Sequence, residues 1–280
     1  MAHLATVAAA AVVFQERYIV TQRIRPRLSI VIPAYNEERR LPATLERVAA
    51  YLARLPYPAE VIVVDDGSED RTAEIAEKFA TTLPARMRVI RNDHRGKGYT
   101  VRTGMLAAEG DYILFSDADL ATPIEEWEKL HSYLEAGWDI AIGSREGLGA
   151  RRVGEPWYRH LMGRVFNHLV RWVAIADFQD TQCGFKAFRR EVAHDLFRRV
   201  QLYGEGARRV KGGAVTGFDV EVLFLARKRG YRIREVPVEW RYGANTKVNP
   251  VRDSIRMFKD VWAVRLNDWR GRYNQYEPEG

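Results

Sequence analysis

Three clusters in the sequence combine acidic and polar residues at spacings that suit metal and phosphate chemistry. They are Pro33-Ala34-Tyr35-Asn36-Glu37, Asp65-Asp66-Gly67-Ser68 and Asp117-Ala118-Asp119. Carboxylates brought to one place repel one another unless a cation or hydrogen-bond donors stand between them. A hard divalent ion gives such a group a purpose, because Mg²⁺ or Mn²⁺ takes carboxylate oxygens together with phosphate oxygens and water. The two aspartates of Asp117-Ala118-Asp119 can face one ligand only if the backbone turns there, and Ala118 leaves that turn uncrowded. Taken by itself, the same spacing also describes an acidic turn with no ligand.

What raises the clusters above isolated turns is the elements that precede them. Leu28 to Ile32, Glu60 to Val64, Arg86 to Ile90, Asp111 to Phe115 and Asp139 to Ile142 read as strands. Between them Leu41 to Arg54, Glu69 to Thr81, Lys97 to Glu109 and Pro123 to Ala136 carry helical patterns, some with start signals such as acids in the first turn or an N-terminal proline. This alternation predicts an α/β fold, a Rossmann-like, mostly parallel sheet flanked by helices. Ligands of such sheets bind beyond the carboxyl ends of the strands, where all three clusters fall. The first strand is followed by neither Gly-x-Gly-x-x-Gly nor a Walker-type loop, which argues against a dinucleotide or P-loop site. Arg95-Gly96-Lys97-Gly98 does open a helix, where backbone N–H groups and side chains could meet phosphate or nucleobase.

The second half turns loop-like from Gly143 to Gly154, then carries a long helical pattern from Pro156 to Ala176 in which tryptophans alternate with arginines. That pattern suits either core packing or a helix half sunk in lipid headgroups. A strand at Gly184 to Phe188 and a helix at Arg190 to Arg198 lead into a glycine-rich stretch, 204–217. Helix Asp219 to Arg229, strand Tyr231 to Val236 and helix Pro250 to Leu266 follow. At 280 residues the chain has room for one large domain, expected over 28–268, with an N-terminal extension 1–27 and a C-terminal tail 269–280.

The charge balance, 44 Lys and Arg against 37 Asp and Glu, suits phosphate-bearing substrates or anionic lipid surfaces without choosing between them. No nucleic-acid partner is expected. The single cysteine, Cys183, excludes an internal disulfide and reads as a packing residue. The apolar run Leu4 to Phe14 has eleven residues where a span needs about 20, and no basic residue precedes it as in a signal peptide. The expected location is the cytoplasm, including the cytoplasmic face of a membrane.

At this level of detail the motifs resemble a known family. Ile30 to Glu38, Val63 to Ser68 and Ser116 to Leu120 are similar to the family 2 glycosyltransferases with their GT-A fold. Asp180-Thr181-Gln182-Cys183-Gly184-Phe185-Lys186, Gly217-Phe218-Asp219-Val220-Glu221 and Glu235-Val236-Pro237-Val238-Glu239-Trp240 resemble its polyprenyl-phosphate branch, and within it the dolichyl-phosphate β-glucosyltransferases. The resemblance implies an inverting transfer of a hexose, glucose before mannose, from UDP-glucose or GDP-mannose to polyprenyl phosphate.

It further implies that Pro33, Tyr35, Glu37, Asp65, Asp66, Lys97 and Asp117 bind the nucleotide sugar. Asp117 and Asp119 would hold Mg²⁺ or Mn²⁺, with Asp119 catalytic, and Arg145 and Arg164 would hold the acceptor phosphate. A lipid phosphate is already anionic and needs positive charge to hold it, not a base. A soluble hydroxyl acceptor, sugar or glycerate-like, would instead need a carboxylate to take its proton, and Asp180 is the candidate catalytic base. Asp219 and Glu221 stand where acids also offset a helix dipole. His94 and His160 lie near the motifs but are not expected to bind a metal. A nucleotidyltransferase would carry a glycine-rich basic loop where Pro33 to Glu37 stands.

Overall fold

The computed structural model describes residues 25–83, 86–154, 178–210, 217–243 and 250–274. The helical pattern at 156–176, with His160 and Arg164, therefore lies outside the described residues, as do most of the N-terminal extension, 211–216 and the last six residues.

Seven strands form one sheet: β1 (Leu28–Ala34), β2 (Ala59–Asp65), β3 (Arg86–Arg91), β4 (Tyr112–Ser116), β5 (Ile140–Ser144), β7 (Phe185–Arg189) and β8 (Ile233–Pro237). Their order is β3-β2-β1-β4-β7-β5-β8. All run parallel except β7, which pairs antiparallel with both β4 and β5. The mostly parallel sheet expected from the sequence is thus present. The extra pair is unexpected: β6 (Arg151–Val153) lies in the stretch read as loop, β9 (Glu239–Arg241) follows the last expected strand, and two strands of three residues offer no apolar periodicity to reveal them.

Side-chain alternation along the strands builds two cores. Val31, Ile62, Val64, Ile113 and Phe115 face one way. There they meet α3 (Lys97–Ala107), α5 (Arg190–Arg199), α6 (Phe218–Lys228) and α7 (Pro250–Trp269). Ile30, Ile32, Val61, Val63 and Leu114 face the other way, onto α1 (Leu41–Leu52), α2 (Thr72–Ala80) and α4 (Trp127–Glu135). Helix α2 starts three residues later than its pattern suggests. Asp70 Oδ1 accepts from the Thr72 N–H at 2.9 Å and fixes the start there. The helix expected at 123–136 opens as a 3₁₀ turn, Ile124–Glu126, before α4.

The register decides where the clusters go. Ala34 is level with Asp65, and Val31 is level with both Ile62 and Phe115, so Tyr35, Asp66 and Asp117 leave the sheet on one edge. Among the described residues no helix is long and apolar enough to cross a membrane.

Glu221, fully buried on α6, ties the second half together. It accepts from the Gln201 N–H at 2.7 Å, the Leu202 N–H and the Tyr273 hydroxyl at 2.8 Å. Burial outweighs these donors and pushes its carboxyl up to about 7 from 4.5. The folded state therefore keeps a proton that the unfolded chain has released. That advantage is complete below the unfolded value and is lost as pH rises through the folded one, at up to about 1.4 kcal/mol per pH unit. Between pH 4.5 and about 7 the melting temperature is expected to fall, and Glu221→Gln should flatten that slope. Thermal melts across this range check it.

Candidate active site

One side of the site grows from the loops after β1 and β2. Gly67 turns the chain at φ 69°, and a side chain there would strike the His94 backbone nitrogen at 2.9 Å. This close approach lets Asp66 gather the 94–96 loop. Its Oδ1 accepts from the Arg95 N–H at 2.9 Å, and its Oδ2 from the Gly96 N–H at 2.9 Å and pairs with His94 Nδ1 at 2.8 Å. Asp66, expected to line the nucleoside, is almost wholly buried and fully engaged in shaping this wall. His94 in turn stacks on Tyr35, ring centroids 4.0 Å apart and 2° from parallel, with no metal role needed. Burial, then the charges of Glu69 and Asp66, raise the Tyr35 hydroxyl above its usual value, so it stays protonated.

Asp65 differs from its neighbour. Its Oδ2 accepts from the Ser68 N–H at 3.2 Å, whereas buried Oδ1 has no hydrogen-bond partner among the described residues. An orphaned buried acceptor is costly until water or a ligand supplies a donor. Pro33 is the last residue but one of β1, level with Val64. Glu37 is taken by Arg40 in a two-point pair at 2.6 and 2.8 Å, which also sets Arg40 Nη1 4.0 Å from Asp119 Oδ2. Glu37 thus positions a cation beside Asp119. The i, i+3 spacing of Glu37 and Arg40 carries the only signal of it in the sequence.

Asp117 and Asp119 follow β4 with about one third of each side chain exposed. Lys97, at the start of α3, reaches Asp117 Oδ1 at 2.6 Å. Burial would lower the Lys97 ammonium, but Asp117 and Asp219 raise it above its usual value. Burial and then the Asp117 charge push the Asp119 carboxyl up, against the opposing pull of Lys97 and Arg40. Among the described residues no three His, Cys, Asp or Glu side chains form a ligand set. Two carboxylates are nevertheless what a Mg²⁺-type ion takes from protein when phosphates and water complete its shell. The residues present suit such an ion.

Behind Asp117 lies a device the sequence reading quoted without giving it a role. The Asp117 N–H donates to Gly184 O at 3.1 Å, and a Cβ on Gly184 would sit 2.0 Å from Asp117 Oδ2. Buried Lys186 on β7 donates to Cys183 O and to Asp219 Oδ1, placing a charge pair under the site. Gly184→Ala is therefore expected to displace the Asp117 carboxylate. Turnover should drop by about 100-fold, the scale set by an ångström of misplacement. Steady-state kinetics beside a thermal melt will separate this from unfolding. Cys183 is buried, its thiol is pushed up to about 11 by burial, and it packs as expected.

A second cluster assembles from three separated motifs. Arg145 donates to Asp180 through Nε at 2.7 Å, Nη2 at 2.8 Å and its backbone N–H at 3.0 Å, while Gln182 N–H adds a fourth donor at 3.1 Å. Asp180 is 0% exposed. Burial would raise its carboxyl, yet the Arg145 guanidinium and backbone reverse this and hold it well below the usual carboxylate range. A carboxylate so held is a weak base, and its oxygens are engaged by Arg145 and Gln182. Glu235 on β8 accepts from the backbone N–H groups of Gln179 and Asp180 at 3.0 and 2.8 Å, and Trp240 lies 5.4 Å from the Arg145 guanidinium. Only the folded sheet brings 145, 180, 235 and 240 together. Arg164 lies outside the described residues.

The glycine-rich stretch is partly described and runs beside the nucleotide wall. Val210 N–H donates to His94 O at 3.0 Å, and Arg209 pairs with Asp93 at 2.7 Å.

Comparison with known proteins adds to this geometry. The family model "Glycosyl transferase family 2" matches residues 29–197. The chain is 35% identical over 254 residues to the human dolichyl-phosphate beta-glucosyltransferase, covering 86% of this chain and 75% of that one. Among solved structures it is similar to the mannosyltransferase of Pyrobaculum calidifontis in complex with GDP-Man and Mn²⁺, with TM-score 0.56, 20% identity and coverage of 95% and 74%. It is also similar to the glucosyl-3-phosphoglycerate synthase of Mycobacterium tuberculosis in complex with Mn²⁺, UDP and glucosyl-3-phosphoglycerate. There the TM-score is 0.57, identity 22% and coverage 92% and 84%. At these identities the two structures establish a shared fold.

Proposed function

The chain belongs to glycosyl transferase family 2, and from that premise we propose that it moves glucose from UDP-glucose to polyprenyl phosphate with inversion at the anomeric carbon. Mannose from GDP-mannose is the second choice of donor. The relative's name supports glucose and a lipid-phosphate acceptor. The observation that carries the choice of acceptor is the Arg145–Asp180 pair. Asp180 has four donors on it, which weaken it as a base, while Arg145 is a cation fixed in place. A phosphate nucleophile needs the second and has no use for a base. A hydroxyl acceptor needs the base that Asp180 does not supply.

In this reading Asp65 Oδ1 accepts a donor from the nucleobase, and Tyr35 with His94 forms the wall beside it. Asp119, with Asp117, would hold Mg²⁺ or Mn²⁺, and Lys97 and Arg40 would add positive charge along the diphosphate. The metal, when bound, supplies Lewis-acid neutralisation of the departing diphosphate. An acceptor phosphate oxygen, held beside Arg145 and Arg164, forms the new bond to the anomeric carbon as the bond to the diphosphate oxygen breaks on the opposite face. No proton moves, so the protein's work is positioning and charge.

Incubation with labelled UDP-glucose or GDP-mannose, Mg²⁺ or Mn²⁺ and polyprenyl phosphate tests the reading. Label should pass into the organic phase from UDP-glucose. Organic-phase counts at background with every donor would overturn it.

A further inference from the structure

Helix α7 has an outer face that the fold does not use. Val261, Val264 and Asn267 are buried on its inner side. Phe258, Trp262, Leu266 and Trp269 are 37%, 38%, 40% and 71% exposed, most of the large exposed apolar side chains among the described residues. At about 100° per residue these four fall within roughly 80° of arc and make one stripe. Phe258 and Trp262 meet edge to face, ring centroids 6.3 Å apart, so the stripe is continuous there.

The charges beside the stripe are sorted by sign. Lys259, Arg265 and Arg270 lie on its two shoulders, within about 80° of its centre on the same helical geometry. Arg265 is half-buried, 5.3 Å from the Phe224 ring, while Lys259 and Arg270 are exposed. Asp260 and Asp268 of the helix turn inward. Asp260 accepts from Gly217 N–H at 2.8 Å and from the Tyr203 hydroxyl at 2.7 Å, and Asp268 pairs with Lys228. Aromatic and aliphatic side chains between basic shoulders, with acids withdrawn, match an anionic lipid interface: the rings enter the headgroup boundary and the cations reach phosphate.

The inner side of the same helix is tied to the site. Gly217, held by Asp260, caps α6, whose Asp219 pairs with Lys186 beneath Asp117. We infer that the Phe258–Trp262–Leu266–Trp269 face of α7 docks on an anionic bilayer surface and so brings the sheet edge to a membrane-embedded acceptor. The second half of this statement rests on the function proposed above; the docking itself does not.

Co-sedimentation of the full chain with phosphatidylcholine vesicles containing about 30% phosphatidylglycerol tests the docking. Wild type should sediment with them, and Trp262→Ser with Trp269→Ser should weaken partition at least 10-fold at unchanged melting temperature. Lys259→Glu with Arg270→Glu should weaken it as well and reduce its salt dependence. Equal sedimentation of wild type and the tryptophan variant would overturn the inference. So would light scattering that shows a dimer dispersed by the tryptophan variant, since a second copy would then cover the face. Transfer assays separate the two claims. The tryptophan variant should lose transfer to vesicle-embedded polyprenyl phosphate yet keep it with a short-chain, water-soluble prenyl phosphate. A wild type that sediments with vesicles but uses neither acceptor would refute the proposed function and leave the docking intact.

Discussion

Asp119→Ala is expected to lower turnover by about three orders of magnitude, roughly 4 kcal/mol of transition-state stabilisation, without unfolding the protein. The chemical half of this expectation follows from what Asp119 can hold. Of the two aspartates after β4, Asp117 is already matched by Lys97 at 2.6 Å, whereas Asp119 accepts one backbone hydrogen bond, from Ala121 at 3.1 Å. A metal at the diphosphate would find its strongest protein ligand there. The structural half follows from exposure and charge. Asp119 belongs to no buried network, and its carboxyl is pushed up partly by Asp117, so removing it relieves a repulsion. Stability should change by less than about 0.5 kcal/mol, or rise. Turnover at saturating donor, together with a Mn²⁺ titration followed by thermal shift in the presence of UDP-glucose, reads both halves. A variant that keeps a tenth of wild-type turnover with unchanged metal dependence would remove Asp119 from the site.

The second large effect concerns Arg145 and Asp180, which should behave as one unit. Breaking a buried ion pair from one side costs about 3–5 kcal/mol, because the charge left behind is uncompensated. Arg145→Ala leaves Asp180 fully buried with its main partner gone, and Asp180→Asn sets an amide donor against the guanidinium donors. Each single variant should lose stability by that order and raise the acceptor KM at least 100-fold while leaving UDP-glucose binding nearly intact. The double variant should lose much less than the sum, and a double-mutant cycle measures the difference. Arg145→Lys should not rescue, because a point charge cannot replace a two-point fork.

The pH dependence of this pair has a definite sign. Asp180 is held below its unfolded value, so its contribution to stability is complete above that value and disappears as pH falls through the folded one. The loss belongs to strongly acidic solution. No limb of the pH–rate profile near neutrality should vanish in Asp180→Asn. A general base would give the opposite pattern, with turnover abolished, stability kept and a neutral limb removed.

Much of this was legible before any coordinates. The alternation of strands and helices, and the polar clusters after the first, second and fourth strands, sufficed to place an acidic edge on a mostly parallel sheet. That inference works because side-chain periodicity and the strand-end position of ligands are local properties. The site's internal wiring was less accessible. That Asp65 keeps an orphaned oxygen while Asp66 is consumed by the 94–96 loop depends on a register no spacing encodes. Asp180 looked like a base because its partner is 35 residues away, and Glu235, which holds the same turn, is 55 residues away. Gly184 was visible as a glycine in a motif, but the reason for it is an Asp117 oxygen arriving from another strand. The exposed stripe of α7 has the opposite history. Its helical pattern was plain, and only burial could tell which face was left outside.

The most direct measurement is the structure of the product. With ¹³C-labelled UDP-glucose and polyprenyl phosphate, NMR should find the sugar C1 coupled to phosphorus in the lipid fraction, with configuration inverted from that of the donor. A labelled glucoside whose C1 is bonded to a hydroxyl oxygen without phosphorus coupling would contradict the account, and so would a lipid product with configuration retained.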